Sequence, residues 1–184
     1  FLASHFEEQV GSTFIANNFS VSSSEIGSST ASLTLDGTIE ILCEETEITW
    51  HEITLEGDIT FVTNNNCILY LFGGGLIGQT NISQGGSIVQ FSNLVVNVVD
   101  EGEPIALASV SLNGTQGTNE ITSTITDLTG TAYLRAKSVT YNENGVFEDT
   151  NLDRIVTMEI NSLEISQTNY WDVSYNSEMT FIAS

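Results

Sequence analysis

Two segments of alternating apolar and polar residues, ASLTLDGTIEIL (31–42) and EITLEGDITFV (52–62), decide the fold class of this chain. Side chains alternate between the two faces of a β-sheet, so this pattern predicts strands with one buried face. Each segment is interrupted by a neighbouring glycine and aspartate, Asp36-Gly37 in the first and Gly57-Asp58 in the second. Such a pair is typical of a tight turn, because glycine tolerates a positive φ. The two segments therefore predict antiparallel hairpins.

Strand patterns continue along the rest of the chain. The apolar runs CILYLF (67–72) and IVQFSNLVVNVV (88–99) suit central strands that are buried on both faces. Helical periodicity is nearly absent apart from ASHFEEQV (3–10), which is compatible with one short helix. About nine or ten strands separated by turn residues predict an all-β fold, an antiparallel β-sandwich of jelly-roll-like topology. No exact internal repeat is found, so a solenoid is the weaker alternative.

Charge is the most unusual property of the composition. The 184 residues contain 24 Asp and Glu but only 3 Lys and Arg, a formal net charge of −21. Nucleic acids and anionic membrane surfaces are excluded as partners, because both require a basic face. Self-repulsion of this size opposes a compact state, so we expect divalent cations, high salt or a basic partner to offset it.

The two cysteines, Cys43 and Cys67, are compatible with one disulfide in an oxidising compartment, or with two buried thiols. Sequons at Asn18, Asn81 and Asn113 permit N-linked glycans. No apolar run reaches the about 20 residues that cross a membrane, which predicts no membrane insertion. A chain that starts at Phe1 rather than Met favours a processed, extracellular protein.

Catalytic patterns are weak. The histidines are His5 and His51, and the sequence around His51 lacks the second histidine of a helical zinc-protease motif. We therefore predict that the protein is not an enzyme. Two alternatives remain: a hydrolase that uses His51 and Glu52, and an adhesin or carbohydrate-binding module that stacks sugars on Tyr170 and Trp171.

Calcium is the most plausible ligand, because it binds six to eight hard oxygen atoms supplied by flexible loops. The segment NENGVFEDTNLD (142–153) offers such oxygens around a glycine-containing turn: Asn142, Asn144, Glu148, Asp149, Asn151 and Asp153. A second acidic turn, DEGE, contributes Asp100, Glu101 and Glu103. A third acidic region runs from EETE (44–47) to Asp58. Each of these could equally be a solvated loop or strand face.

The N-terminal stretch is apolar and strand-prone, with Phe1, Leu2, Phe6 and Val10 and no evident hairpin partner. Phe6-Glu7-Glu8, followed by GSTFIANNFSV (11–21), resembles the start of the TasA/camelysin group of secreted proteins. That group carries an acidic pair and then a phrase of the type G-N-T-F-x-A-G-x-L-x-L. Asn17 replaces the usual glycine, and Glu7 replaces the common aspartate. The match covers about 20 residues, whereas length and β pattern agree along the chain.

The resemblance implies a subunit of an extracellular fibre, a group that includes archaeal pilus and cannula tubule subunits. It implies that residues 1–20 are an N-terminal arm that acts as an extended donor strand and that residues 21–184 form the sandwich domain. It also implies that assembly depends on calcium. Strand addition also has its own physical basis, because an inserted strand gains main-chain hydrogen bonds and buries alternate side chains. A head-to-tail contact that does not close produces a filament or tube of identical subunits. The peptidase activity ascribed to camelysin is not carried over, since no zinc-ligand set is present.

Overall fold

A computed structural model of the chain describes residues 5–6, 19–22, 25–26, 33–43, 45–63, 66–113, 120–148 and 153–183. Apart from a 3-10 helix at Asn161–Leu163, the regular elements of these residues are β-strands. The all-β class predicted from the sequence is confirmed. The strands are β1 His5–Phe6, β2 Phe19–Ser22, β3 Glu25–Ile26, β4 Leu33–Cys43, β5 Glu47–His51, β6 Ile53–Thr63, β7 Ile68–Phe72, β8 Gly75–Ile82, β9 Ser87–Asp100, β10 Glu103–Pro104, β11 Ser109–Asn113, β12 Ser123–Ile125, β13 Thr131–Asn142, β14 Gly145–Glu148, β15 Asp153–Ile160, β16 Ile165–Asp172 and β17 Ser177–Ile182.

The chain forms two compact units. The first unit is Phe1–Phe91 with Val139–Glu148, and the second unit is Ser92–Ser138 with Asp149–Ser184. The sequence predicted an arm over 1–20 and one domain over 21–184. It placed no boundary in the apolar run at 88–99, yet that run forms β9, whose Ile88 lies in the core of the first unit and whose Leu94 lies in the core of the second.

Strands of the first unit alternate between two sheets as the chain proceeds. One sheet has the order β2-β4-β6-β8, and the other begins β1-β3-β5-β7-β9. Pairing in both is parallel: Leu33 lies beside Ile53, 20 positions later, and Thr54 lies beside Gly75, 21 positions later. The first unit is therefore a two-sheeted β-solenoid, in which each turn adds one strand to each sheet.

This parallel pairing corrects the predicted hairpins. Gly37 lies inside β4 and Gly57 inside β6, and the two residues are register partners. Both have a positive φ, 114° and 108°, so they bend the strand without reversing it. A glycine beside an acidic residue is compatible both with a tight turn and with a bend inside a strand. The Asp36-Gly37 and Gly57-Asp58 pairs therefore led to the wrong prediction of hairpins.

One continuous core lies between the two sheets of the first unit. Leu55, Ile59 and Phe61 from β6 pack with Trp50 and Leu71 from the opposite sheet, and all five are buried. The alternation recognised in the sequence therefore does mark the buried face, and the two-layer packing expected for a sandwich is present.

The second unit is also a sandwich. Its β12-β11-β15-β16 sheet is antiparallel throughout, as the sequence predicted. Its opposite layer contains the end of β9, which pairs antiparallel with β10 and parallel with β17. The core joins Val96 and Phe181 from this layer to Val110, Met158 and Trp171 from the other.

Candidate functional site

Strand β8 forms an open edge of the first unit. It is the last strand of β2-β4-β6-β8, and it pairs with β6 along eight register positions from Gly75 to Ile82. Among the residues that the structure describes, no strand pairs with its other side. An edge of this length presents a row of unpaired backbone donors and acceptors, and natural proteins usually block such edges.

The outward side chains of this sheet lie in three columns across β4, β6 and β8. The columns are Asp36–Glu56–Ile77, Thr38–Asp58–Gln79 and Glu40–Thr60–Asn81. We call them the acidic columns, because four of their six members on β4 and β6 are carboxylates. Neighbouring strands lie about 4.8 Å apart, so the carboxylates of Asp36 and Glu56 are close like charges. At β8 the columns become neutral, and Ile77 is 57% exposed.

A column of glycines runs beside the acidic columns. Gly37, Gly57 and Gly78 are successive register partners, each with a positive φ. A Cβ on Gly57 would lie 2.4 Å from the carbonyl oxygen of Gly37, and a Cβ on Gly78 would lie 2.2 Å from that of Gly57. The close stacking of the turns therefore requires glycine at Gly57 and Gly78. The spacing of about 20 residues between these glycines is the sequence signal that could have revealed the solenoid.

The N-terminal residues predicted to mediate polymerisation are only partly described. Phe1, Leu2 and Val10 lie outside the described residues. Phe6 lies in β1 and pairs in parallel with Ile26 of its own chain. Strand β2, which includes the end of the predicted arm, pairs in parallel with β4. The described parts of residues 1–20 thus belong to the chain's own sheets, because they continue its repeat of 20 residues.

Cys43 and Cys67 form a disulfide, with 6.2 Å between their Cα atoms. It links the end of β4 to the residue that precedes β7, so it joins the two sheets of the first unit. This is the pairing that the sequence allowed, rather than two buried thiols.

Part of the first predicted calcium loop is described. Residues 142–145 form a hairpin turn between β13 and β14, in which the backbone N–H of Asn144 donates to Oδ1 of Asn142 at 2.8 Å. Asp153 is exposed at the start of β15, beside Asp172. The side chain of Glu148 and all of Asp149 and Asn151 lie outside the described residues.

The second predicted calcium turn is an exposed hairpin. Asp100 pairs with Glu103, and both central residues have a positive φ, 48° at Glu101 and 89° at Gly102. These angles are those of a type I′ turn. Over the described part of the chain, no three His, Cys, Asp or Glu side chains come together as a metal site. The calcium prediction therefore stays a proposal.

The sequons at Asn81 and Asn113 are on exposed positions at the ends of β8 and β11. Asn18 lies outside the described residues. Use of these sequons stays a prediction.

The predicted aromatic sugar platform is not formed. Tyr170 is 73% exposed, whereas Trp171 is buried in the second unit, where its Nε1–H donates to the carbonyl oxygen of Tyr175 at 3.2 Å. Neighbouring strand residues face opposite sides of a sheet, so the two rings cannot act together. The ring of His51 is half-buried, with its centroid 5.2 Å from that of Phe72.

Two carboxylates of the second unit have perturbed titration. Hydrogen bonds from the hydroxyl of Thr129 and from the backbone N–H groups of Thr131 and Thr129 lower the pKa of Asp127 below its usual value. Hydrogen bonds from Ser174 and Tyr175 lower the pKa of Asp172. Both carboxylates order local turns, at 127–131 and 172–175.

Comparison with known proteins gives neither a matching family model nor a matching curated relative. No helix among the described residues is long and apolar enough to cross a membrane. The resemblance to the TasA/camelysin group therefore stays a prediction.

Proposed function

We propose that this protein is a structural subunit of an extracellular filament or tubule, which assembles head-to-tail by strand addition with the help of calcium. The observation that carries the proposal is the open edge of β8 at the end of a parallel solenoid sheet. Solenoid turns are stable through contact with their neighbours, and soluble solenoids need capping turns with a polar outer face. The described residues provide no cap over β8, and a second copy can supply one.

In this mechanism the N-terminal segment is not a detached arm. Strands β1 and β2 stay in the sheets of their own chain, where they form the first of the described turns. The outer edge of β2 meets the open edge of β8 in the neighbouring copy. A contact between two different ends is heterologous, and it continues indefinitely unless the rotation between copies closes a ring.

Extracellular location is supported by the Cys43–Cys67 disulfide, because such bonds persist in oxidising compartments. A subunit of an exposed fibre benefits from a covalent link between its two sheets. The exposed sequons at Asn81 and Asn113 are compatible with the same location.

Calcium has a clear electrostatic role in the proposal. Copies with a net charge of −21 repel one another, and each adds its own acidic columns to the assembly. Divalent cations held by carboxylate and amide oxygens reduce this repulsion more strongly than monovalent salt at the same ionic strength.

A pelleting assay tests the proposal. We expect the purified chain to sediment as a polymer in calcium, to stay soluble in sodium chloride of equal ionic strength, and to dissolve again with chelator. The double variant Asp36→Asn/Glu56→Gln should assemble at lower calcium, because it neutralises one acidic column. Glu159→Gln/Glu164→Gln, at two exposed positions of the second unit, removes the same two charges and should not lower the requirement. A chain that stays monomeric in every one of these conditions would refute the function.

A further inference from the structure

The distribution of charge singles out β8 as a contact surface. In a chain with 24 acidic residues, the eight residues of β8, GLIGQTNI, include neither a charge nor a proline. Lysine, other charges and proline are the devices that keep edge strands from pairing. The carboxylates of Asp36, Glu56 and Asp58 lie in columns that end in neutral side chains at β8. Within the part of the chain that the structure describes, this edge therefore has none of the usual protection, whereas the strands behind it are strongly charged.

The opposite edge of the same sheet has matching properties. It is β2, with the uncharged sequence FSVS, and it pairs with β4 on one side. The other sheet of the first unit offers no such pair of ends, because β9 has β13 as a further neighbour. Among the described residues, β2-β4-β6-β8 is thus the sheet of the first unit that ends in an uncharged strand at both edges.

Register defines how the two edges would meet. Two register columns run through the sheet from β2 to β8, and their members on β4 and β6 are buried: Phe19–Ile39–Ile59–Thr80 and Val21–Ile41–Phe61–Ile82. A copy that continues these columns places its Phe19 beside Thr80 and its Val21 beside Ile82. All strands then keep one direction, and the spacing of about 4.8 Å between strands is preserved.

We propose that β8 of each copy pairs in parallel with β2 of a second copy, with Thr80, Asn81 and Ile82 beside Phe19, Ser20 and Val21. This inference rests on the proposed function, and it specifies the joint. The contact joins β2-β4-β6-β8 of one copy to the same sheet of the next, so this parallel sheet runs from one subunit into the next. The partner is a second copy of this chain, because β2 of that copy can run parallel to β8 and can continue the register columns that end on β8.

Engineered disulfides test the register. Asn81 and Ser20 share one register column, so Asn81→Cys and Ser20→Cys would place two Cα atoms of neighbouring copies about 5 Å apart, within the range for a disulfide. Ser22→Cys, on the same face two positions later, provides a matched control at about 8 Å, which is too far. We expect the Asn81/Ser20 double variant to give a ladder of covalent multimers on non-reducing gels after mild oxidation. The Asn81/Ser22 double variant should give few covalent multimers under the same conditions.

Mixing experiments test the polarity of the joint. The single variants Asn81→Cys and Ser20→Cys should each stay monomeric on the gel and should form dimers when mixed, because the contact joins different surfaces. Dimers formed equally well by either single variant alone would overturn the inference.

A charge variant provides a test that needs no engineered cysteine. Gln79→Glu places a carboxylate beside Asp58 at the edge, and we expect the critical concentration for polymerisation to rise roughly two- to fivefold. Ser166→Glu adds the same charge to β16, the terminal strand of a sheet in the second unit, and should have no effect.

The possible outcomes separate the two proposals. If polymers form but the Asn81/Ser20 pair does not link better than the control, the joint is wrong and the function stands. If the wild-type chain forms no polymer in any condition, both fail.

Discussion

Replacing Gly57 by alanine should damage the first unit more than an ordinary glycine substitution does. The φ of Gly57 is 108°, and a Cβ there would lie 2.4 Å from the carbonyl oxygen of Gly37 on the adjacent strand. Positive φ alone costs an L-residue about 1–2 kcal/mol. Relieving the clash also requires the backbone of β4 or β6 to move, which brings the expected loss in unfolding free energy to roughly 3 kcal/mol or more.

Gly145→Ala is the matched control for this substitution. Gly145 also lies in the first unit with a positive φ, 129°, but a Cβ there would have no neighbour within 4 Å. This variant should therefore lose only the conformational part, about 1–2 kcal/mol. The difference between the two variants isolates the close approach of stacked turns.

Urea unfolding followed by tryptophan fluorescence provides the measurement. Trp50 is buried in the first unit and Trp171 in the second, so a Trp171→Phe background leaves Trp50 as the reporter of the first unit. If Gly57→Ala and Gly145→Ala are destabilised equally, the parallel glycine column does not exist as described.

Three further outcomes follow from the structure. Reducing the Cys43–Cys67 disulfide, whose cysteines are 24 positions apart, should lower the unfolding free energy of the first unit by about 3.5 kcal/mol in urea titrations, and an unchanged midpoint would argue against the bond. Trp171→Ala should lower the unfolding free energy of the second unit by roughly 3–5 kcal/mol, and Tyr170→Ala by less than about 0.5 kcal/mol, because the ring of Trp171 is buried and that of Tyr170 is exposed. Thermal unfolding of both variants tests this difference. Equal losses of stability would contradict it. Folding lowers the pKa of Asp127 from 3.8, so the stabilisation by its carboxylate is present above pH 3.8 and disappears as the pH falls through the lowered pKa. Asp127→Asn should therefore flatten the acid side of the plot of unfolding free energy against pH. A plot like that of the wild type would show that these hydrogen bonds do not hold the carboxylate.

Local sequence patterns predicted the strands well, because the alternation of apolar residues is set directly by burial. The long apolar run at 88–99 forms β9, and the acidic sequence at 100–103 forms a hairpin turn. The direction of pairing in the first unit could not be obtained in this way. A parallel sheet depends on contacts between residues about 20 positions apart, and a glycine that bends a strand looks the same in sequence as one that reverses it.

The candidate site was predicted only in part. An interaction through strand edges was expected, but at the apolar N-terminus rather than at β8. The sequence GLIGQTNI contains no pattern that predicts an interaction surface, because its role depends on the position of β8 at the end of a sheet. Its lack of charge becomes informative only when the register sets Ile77 and Gln79 beside Glu56 and Asp58.

Electron microscopy of the purified chain, with calcium and with chelator, tests the central claim most directly. The account predicts long unbranched filaments or tubules in calcium and single particles after chelation. In the polymers, parallel strands should continue from one subunit into the next at a spacing of about 4.8 Å. Single particles at every calcium concentration, with β8 covered by no second copy, would contradict it.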